Sequence, residues 1–150
     1  MAHKITIDSG LETFEIDFKD RGETAEISFN PSDPDLSKRL FEAQKVIDEK
    51  TKEVKRYEVD ENGVPVVDSC IEYLNGINKI VYDAIDYAFG NKISDVVFKY
   101  CSPFAIVNGE YYIWSFINGM TPLLKDIIGK DQKTASDNMN KHLAKYMRKR

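Results

Sequence analysis

Apolar and polar residues alternate three times within the first thirty positions. Lys-Ile-Thr-Ile-Asp (4–8) sets Ile5 and Ile7 on one face. Thr13–Phe18 sets Phe14, Ile16 and Phe18 against Glu15 and Asp17, and Thr24–Phe29 sets Ile27 and Phe29 against Glu26 and Ser28. Period two with one charged face predicts strands of a sheet that is wet on one side. Ser9-Gly10 and Lys19–Gly22 are short and turn-like, so the prediction is an antiparallel meander over about 4–29. Three short strands are marginal alone, and their apolar face needs a helix to cover it.

The period changes after Asn30–Pro34, where two prolines push the residues before them out of the helical region. Asp33 is expected as the N-cap, with Pro34 opening a helix to about Arg56. Leu36, Leu40, Ala43, Ile47 and Val54 trace its stripe, flanked by Phe41 and Val46. Its second half, Asp48–Arg56, is nearly all charged and is expected to project into solvent. Residues 57–64 read as a polar linker turning at Asn62-Gly63. A calcium loop does not fit there, because Asp60, Asn62 and Asp68 lack the alternating spacing and the closing bidentate Glu.

Val66–Phe89 carries the strongest helical signal, with Val67, Cys70, Ile71, Leu74, Ile77, Val81, Ile85 and Ala88 stepping by three and four. Gly90 stops it. A shorter helix over about Ser94–Cys101 ends before Ser102-Pro103. Asn108-Gly109 between apolar runs signals a hairpin, but Tyr112, Ile113, Phe116, Ile117 and Met120 continue at helical spacing. A turn at Asn108-Gly109 is expected to open a helix from about Glu110 to Asn118. Thr121-Pro122 then caps a further turn through Ile128, closed by Gly129. The last segment, Asp131–Arg150, is a narrow amphipathic helix with Ala135, Met139, Leu143 and Tyr146 on its stripe and a basic end. The fold class is α+β: a small N-terminal antiparallel β-meander (about 4–29) packed on a mainly α-helical body (about 34–148), in one domain centred on Val66–Gly129.

Length and charge narrow the function. A chain of 150 residues suits one domain and can bury roughly 70% of the surface its unfolded form exposes. A net charge of −4 and a pI near 5.3 argue against a dedicated nucleic-acid binder. No apolar run approaches the roughly 20 residues of a membrane span, and no charged-then-apolar leader opens the chain, so a cytosolic protein without a membrane partner is expected. Cys70 and Cys101 sit among apolar residues and read as reduced, buried small hydrophobes.

The chemistry of an active site is not legible. Nucleophilic catalysis needs a nucleophile beside an oriented base, and His3 and His142 fall at a terminus and on the tail helix. Zinc needs closely spaced Cys or His, and Gly90-Asn91-Lys92 lacks the further glycines and hydroxyl of a phosphate loop. No catalytic residue, metal ligand or cofactor is therefore assigned. Phe104, Tyr111, Tyr112, Trp114 and Phe116 read as core. The alternative is a small enzyme or ligand-binding domain with a pocket around Trp114 and Tyr112.

The order of motifs from residue 4 to 129 resembles the tail assembly chaperones of long-tailed phages of Gram-positive hosts. Ile85-Asp86-Tyr87-Ala88-Phe89-Gly90 followed by Ser94-Asp95-Val96-Val97-Phe98 is similar to that family's helix, Phe-Gly stop and short helix ending in Phe. Asn108-Gly109-Glu110-Tyr111-Tyr112, then Phe116-Ile117 and Pro122, is similar to its Gly-aromatic turn before a helix holding a proline. The Ile-Asp-Phe strand and Ile27-Ser28-Phe29-Asn30-Pro31 before a charged helix resemble its start. The resemblance implies a non-enzyme of the host cytoplasm, absent from the mature virion. It would coat the tape measure protein, self-associate as a homo-oligomer, and in a longer frameshifted form recruit the tail tube protein. The stripe Ala135, Met139, Leu143 and Tyr146 is the expected partner contact, on the tape measure protein or a neighbouring subunit. A phage protein that binds a single host partner is the remaining alternative.

Overall fold

The computed structural model of the protein describes residues 1–148; of Ile128, His142, Tyr146, Met147 and Arg148 it describes the backbone alone. Strands β1 (Glu12–Phe18) and β2 (Glu23–Phe29) pair antiparallel, from Glu12 opposite Phe29 to Phe18 opposite Glu23. Alternation sorts their side chains as expected. Ile27 and Phe29 are buried, Phe14 stacks on Phe29 with ring centroids 4.5 Å apart, and Glu12, Glu15 and Asp17 face out.

The expected third strand is absent, so the meander is a two-stranded hairpin. Residues 4–8 lie outside the sheet, with Ile5 83% and Ile7 81% exposed. The chain turns at Gly10 (φ +74°), whose N–H donates to the Asp8 carboxylate, and the Asn30 side chain donates to the Ser9 carbonyl at 3.1 Å. Those contacts lead the segment past the end of β2 rather than along β1.

Helix α1 (Asp35–Glu53) begins as the residues dictate: the Asp33 carboxylate accepts the Asp35 N–H at 2.9 Å. It stops at Glu53, short of the expected Arg56. It packs antiparallel on α2 (Val67–Phe89), since its first turns meet the last turn of α2 and its end meets Gly76. The charged second half is mostly exposed, as expected: of Asp48–Arg56, Thr51 and Val54 alone are half-buried, and Val54, just beyond the helix, lies where a Cβ on Gly76 would come within 3.1 Å of it. The bare glycine lets the chains approach there. The linker turns at Asn62-Gly63, where one Asp60 carboxylate oxygen accepts the Asn62 and Val64 N–H groups.

Gly90 ends α2 in the left-handed conformation, at φ +67°. Helix α3 is one turn, Ser94–Val97, rather than reaching Cys101. The region after it overturns the sequence reading twice. Asn108 (φ +51°) and Gly109 (φ +83°) both take the left-handed region, as a primed hairpin turn requires, and join β3 (Ile106–Val107) to β4 (Glu110–Tyr111). The helix therefore starts at Tyr112, not Glu110. It then runs without a break as α4 (Tyr112–Arg148), through Thr121-Pro122 and Gly129. Pro122 denies a donor to the Asn118 carbonyl, but Asn118, Gly119 and Pro122 are exposed, so water can serve it. The Thr121 hydroxyl donates to the Ile117 carbonyl at 2.9 Å.

One hydrophobic cluster joins β2, α1, α2, α3 and the first turns of α4, through residues such as Phe29, Leu36, Val81, Ile85, Ile93 and Ile113. The architecture is α+β. Cys70 and Cys101 are free thiols and half-buried, more open than their apolar neighbours suggested.

Candidate interaction surfaces

Helix α4 has two unlike halves. Tyr112, Ile113, Trp114, Phe116, Ile117, Met120 and Leu124 pack on the cluster. Beyond Leu124, Ile127 is half-buried and the Asp131 carboxylate accepts the Ser32 hydroxyl. From Gly129 on, every described side chain is exposed. At 1.5 Å per residue, the helix past Asp131 extends about 25 Å from that last tie. Ala135, Met139 and Leu143 recur at four-residue steps, so the structure sets these three expected contact residues on one open face. The side chain of the fourth, Tyr146, lies outside the described residues, as do Lys149 and Arg150.

A second bare row was not expected. Val67, Ile71 and Leu74, read from periodicity as core, are exposed on the first turns of α2. Val59, Val64 and Val66 of the preceding linker are exposed beside them in sequence. From the linker, Tyr57 packs on these turns, its ring centroid 6.0 Å from that of Tyr73. Cover by α1 begins at Gly76, where Val54 packs.

A third surface is an open groove of about 610 Å³ between β1 and α4. Phe14, Ile16 and Phe18 form one wall and Phe116, Met120 and Leu123 the other, with Asp17, Lys19 and Arg21 on the rim. At its end the Arg21 guanidinium lies 4.6 Å from the Tyr100 ring centroid, the Tyr100 hydroxyl donates to Glu23, and Lys99 pairs with Glu23 at 2.7 Å.

Trp114 and Tyr112 do not share a pocket. Trp114 lines a separate hollow of about 220 Å³ with Leu40, Phe41 and Ile47, whereas Tyr112 faces the groove. The Tyr112 hydroxyl donates to the Val97 carbonyl at 2.7 Å, and burial, then Cys101, pushes the phenol pKa up. It is a neutral structural phenol at neutral pH.

The polar networks hold backbone. Asp86 accepts the Ile93 and Ser94 N–H groups on one oxygen and the Ser94 hydroxyl on the other, capping α3 from α2. Arg39 donates to the Ala88 carbonyl at 2.9 Å and to Asp33 at 3.1 Å, closing the end of α2. The Asp35 N–H first, and Arg39 second, hold the Asp33 carboxyl below its ordinary pKa. Among the described residues, no three His, Cys, Asp or Glu side chains converge as metal ligands, and no helix is long and apolar enough to cross a membrane. No protein-family model, curated protein or solved structure matches the chain.

Proposed function

We propose that this chain is an assembly chaperone that works by covering apolar surface, as the tail assembly chaperones it resembles do. Its client would be the tape measure protein, a long helical and aggregation-prone chain, bound in the host cytoplasm and released before the tail is complete. The observation that carries this reading is the far half of α4, which leaves the body with Ala135, Met139 and Leu143 bare on one face. A helix in that condition lowers its free energy by docking on another apolar surface. The groove between β1 and α4 supports the same reading. Its walls of Phe14, Ile16, Phe116 and Met120 suit apolar side chains offered at helical spacing by an elongated client, and its charged rim suits polar flanks. Such binding needs no covalent step.

Co-expression with the tape measure protein encoded in the same genome tests the reading. The full chain is expected to move that protein from the pellet into the supernatant, and a chain ending at Lys130 to do so far less. A tape measure protein that stays equally insoluble with and without the full chain would refute it.

A further inference from the structure

We propose that the bare row on α4 of one copy docks on the bare row at the start of α2 of a second copy, head to tail. The inference rests on the reading of that α4 face as an interface, and it names the occupant. Three observations select a second copy.

The rows match in length and openness. Val67, Ile71 and Leu74 are 69%, 50% and 49% exposed, and Met139 and Leu143 are 66% and 53% exposed. At 1.5 Å per residue, Val67 to Leu74 spans about 10 Å and Ala135 to Leu143 about 12 Å.

Their surroundings are opposite in charge. Around the α2 row Glu58, Asp60, Glu61, Asp68 and Glu72 outnumber Lys55 and Arg56, which line a hollow with Val66, Asp68 and Glu72, Lys55 pairing with Glu58 at 3.3 Å. From Gln132 to Lys145, α4 carries Lys133, Lys141 and Lys145 against one acid, Asp137. The lysines lie off the apolar face, so they act as a field that steers and orients rather than as paired contacts.

The rows also sit at opposite ends of the molecule. Helix α4 starts beside Tyr73 and Ile77, near the end of α1, where Tyr111 shares a hollow with Val54. It then runs toward the start of α1, where Asp131 meets Ser32. The start of α2 lies at the other end of the antiparallel pair, about 30 Å from Ala88. An unbroken helix cannot fold back to reach it. Each copy thus offers one donor row and one acceptor row; used heterologously the contact builds open chains or rings, and wild type growing past twice the monomer mass distinguishes this from a reciprocal two-fold exchange. Each row alone is small, so association is expected to be concentration-dependent, and alignment on an elongated client would strengthen it by multivalency.

The test mixes two variants whose changes are all at exposed positions. One carries Ile71→Glu and Leu74→Glu, the other Met139→Glu and Leu143→Glu. By light scattering, wild type is expected above its 17.2 kDa monomer mass and rising with concentration. Each variant alone is expected to remain at monomer mass with an unchanged helical circular dichroism spectrum. Mixed one to one, each supplies the row the other lacks, so the mass is expected to double and stop there. Rising salt is expected to halve the dimer population or more. Wild type that is monomeric at every concentration, variants that still assemble, or a mixture that stays monomeric would overturn the proposal. Wild type that is monomeric yet keeps the tape measure protein in the supernatant would sink this contact alone. A doubling mixture with an insoluble tape measure protein would sink the functional reading alone.

Discussion

Both carboxylate oxygens of Asp86 are taken by α3, and both ends of the Arg39 guanidinium are taken by groups that close α1 and α2. Hydrogen bonds to charged groups are worth about 1.5–3 kcal/mol each, and orphaned partners cost more than lost ones. Asp86→Ala strands the Ile93 and Ser94 N–H groups and is expected to lower stability by roughly 2–4 kcal/mol in urea unfolding. A loss below about 0.5 kcal/mol, the level of a neutral surface change, would remove Asp86 from the fold's supports. The tyrosines set the alkaline limit. Burial raises the pKa of Tyr82 and Tyr112, and the Glu42 hydrogen bond raises that of Tyr87. A phenol whose folded pKa lies above its unfolded value of about 10 favours the fold below that pH and ceases to as pH climbs through the folded value. Tm is expected to hold from pH 7 to 9 and fall above pH 10, with phenolate absorbance rising together with unfolding. Asp33 has the opposite sign: its lowered pKa supports the fold above the ordinary carboxylate range and that support is lost as pH falls through the folded value. Residues whose partners are near in sequence were legible. Gly90, Asp33 and Asn62-Gly63 do what their local chemistry demands. Arg39 to Ala88 spans 49 positions, and no local pattern encodes it.

Elements were legible where one period ran long and where packing was local. The two strands and the first two helices fall within a few residues of expectation, because period two and period 3.6 were clean. The misses arose where a tertiary contact decided between local signals. Asn30 draws Ser9 toward β2, so an alternating segment pairs with nothing. Pro122 was read as the first residue of a separate turn and Gly129 as its stop, but both lie on exposed turns, where a missing hydrogen bond costs little. Pro122→Ala restores a donor to the Asn118 carbonyl and is expected to slow amide exchange over residues 118–126. Unchanged exchange would mean that the helix is not continuous there. In the hairpin, Glu15 stands directly opposite Glu26. Like charges so placed are unfavourable, and Glu15→Lys is expected to raise stability by about 0.2–1 kcal/mol at low salt, less at high salt.

At the scale of the molecule, one core and two uncovered apolar rows lie on a chain whose charge is polarised, acidic around the start of α2 and basic along the end of α4. The α4 row was legible because its stripe is too thin for a core. The α2 row was not, because a helix stripe looks the same whether or not a neighbour covers it, and only the position of Gly76 against Val54 reveals where cover begins. If the chain works by covering and being covered, both rows must lose solvent when it assembles. Amide hydrogen exchange on wild type, dilute, concentrated and with the tape measure protein, measures this residue by residue. Slower exchange over 67–74 and 135–143 in the concentrated and client-bound samples, with the core unchanged, is the expected result. Exchange in both segments that stays as fast as in the dilute chain under every condition would contradict the account.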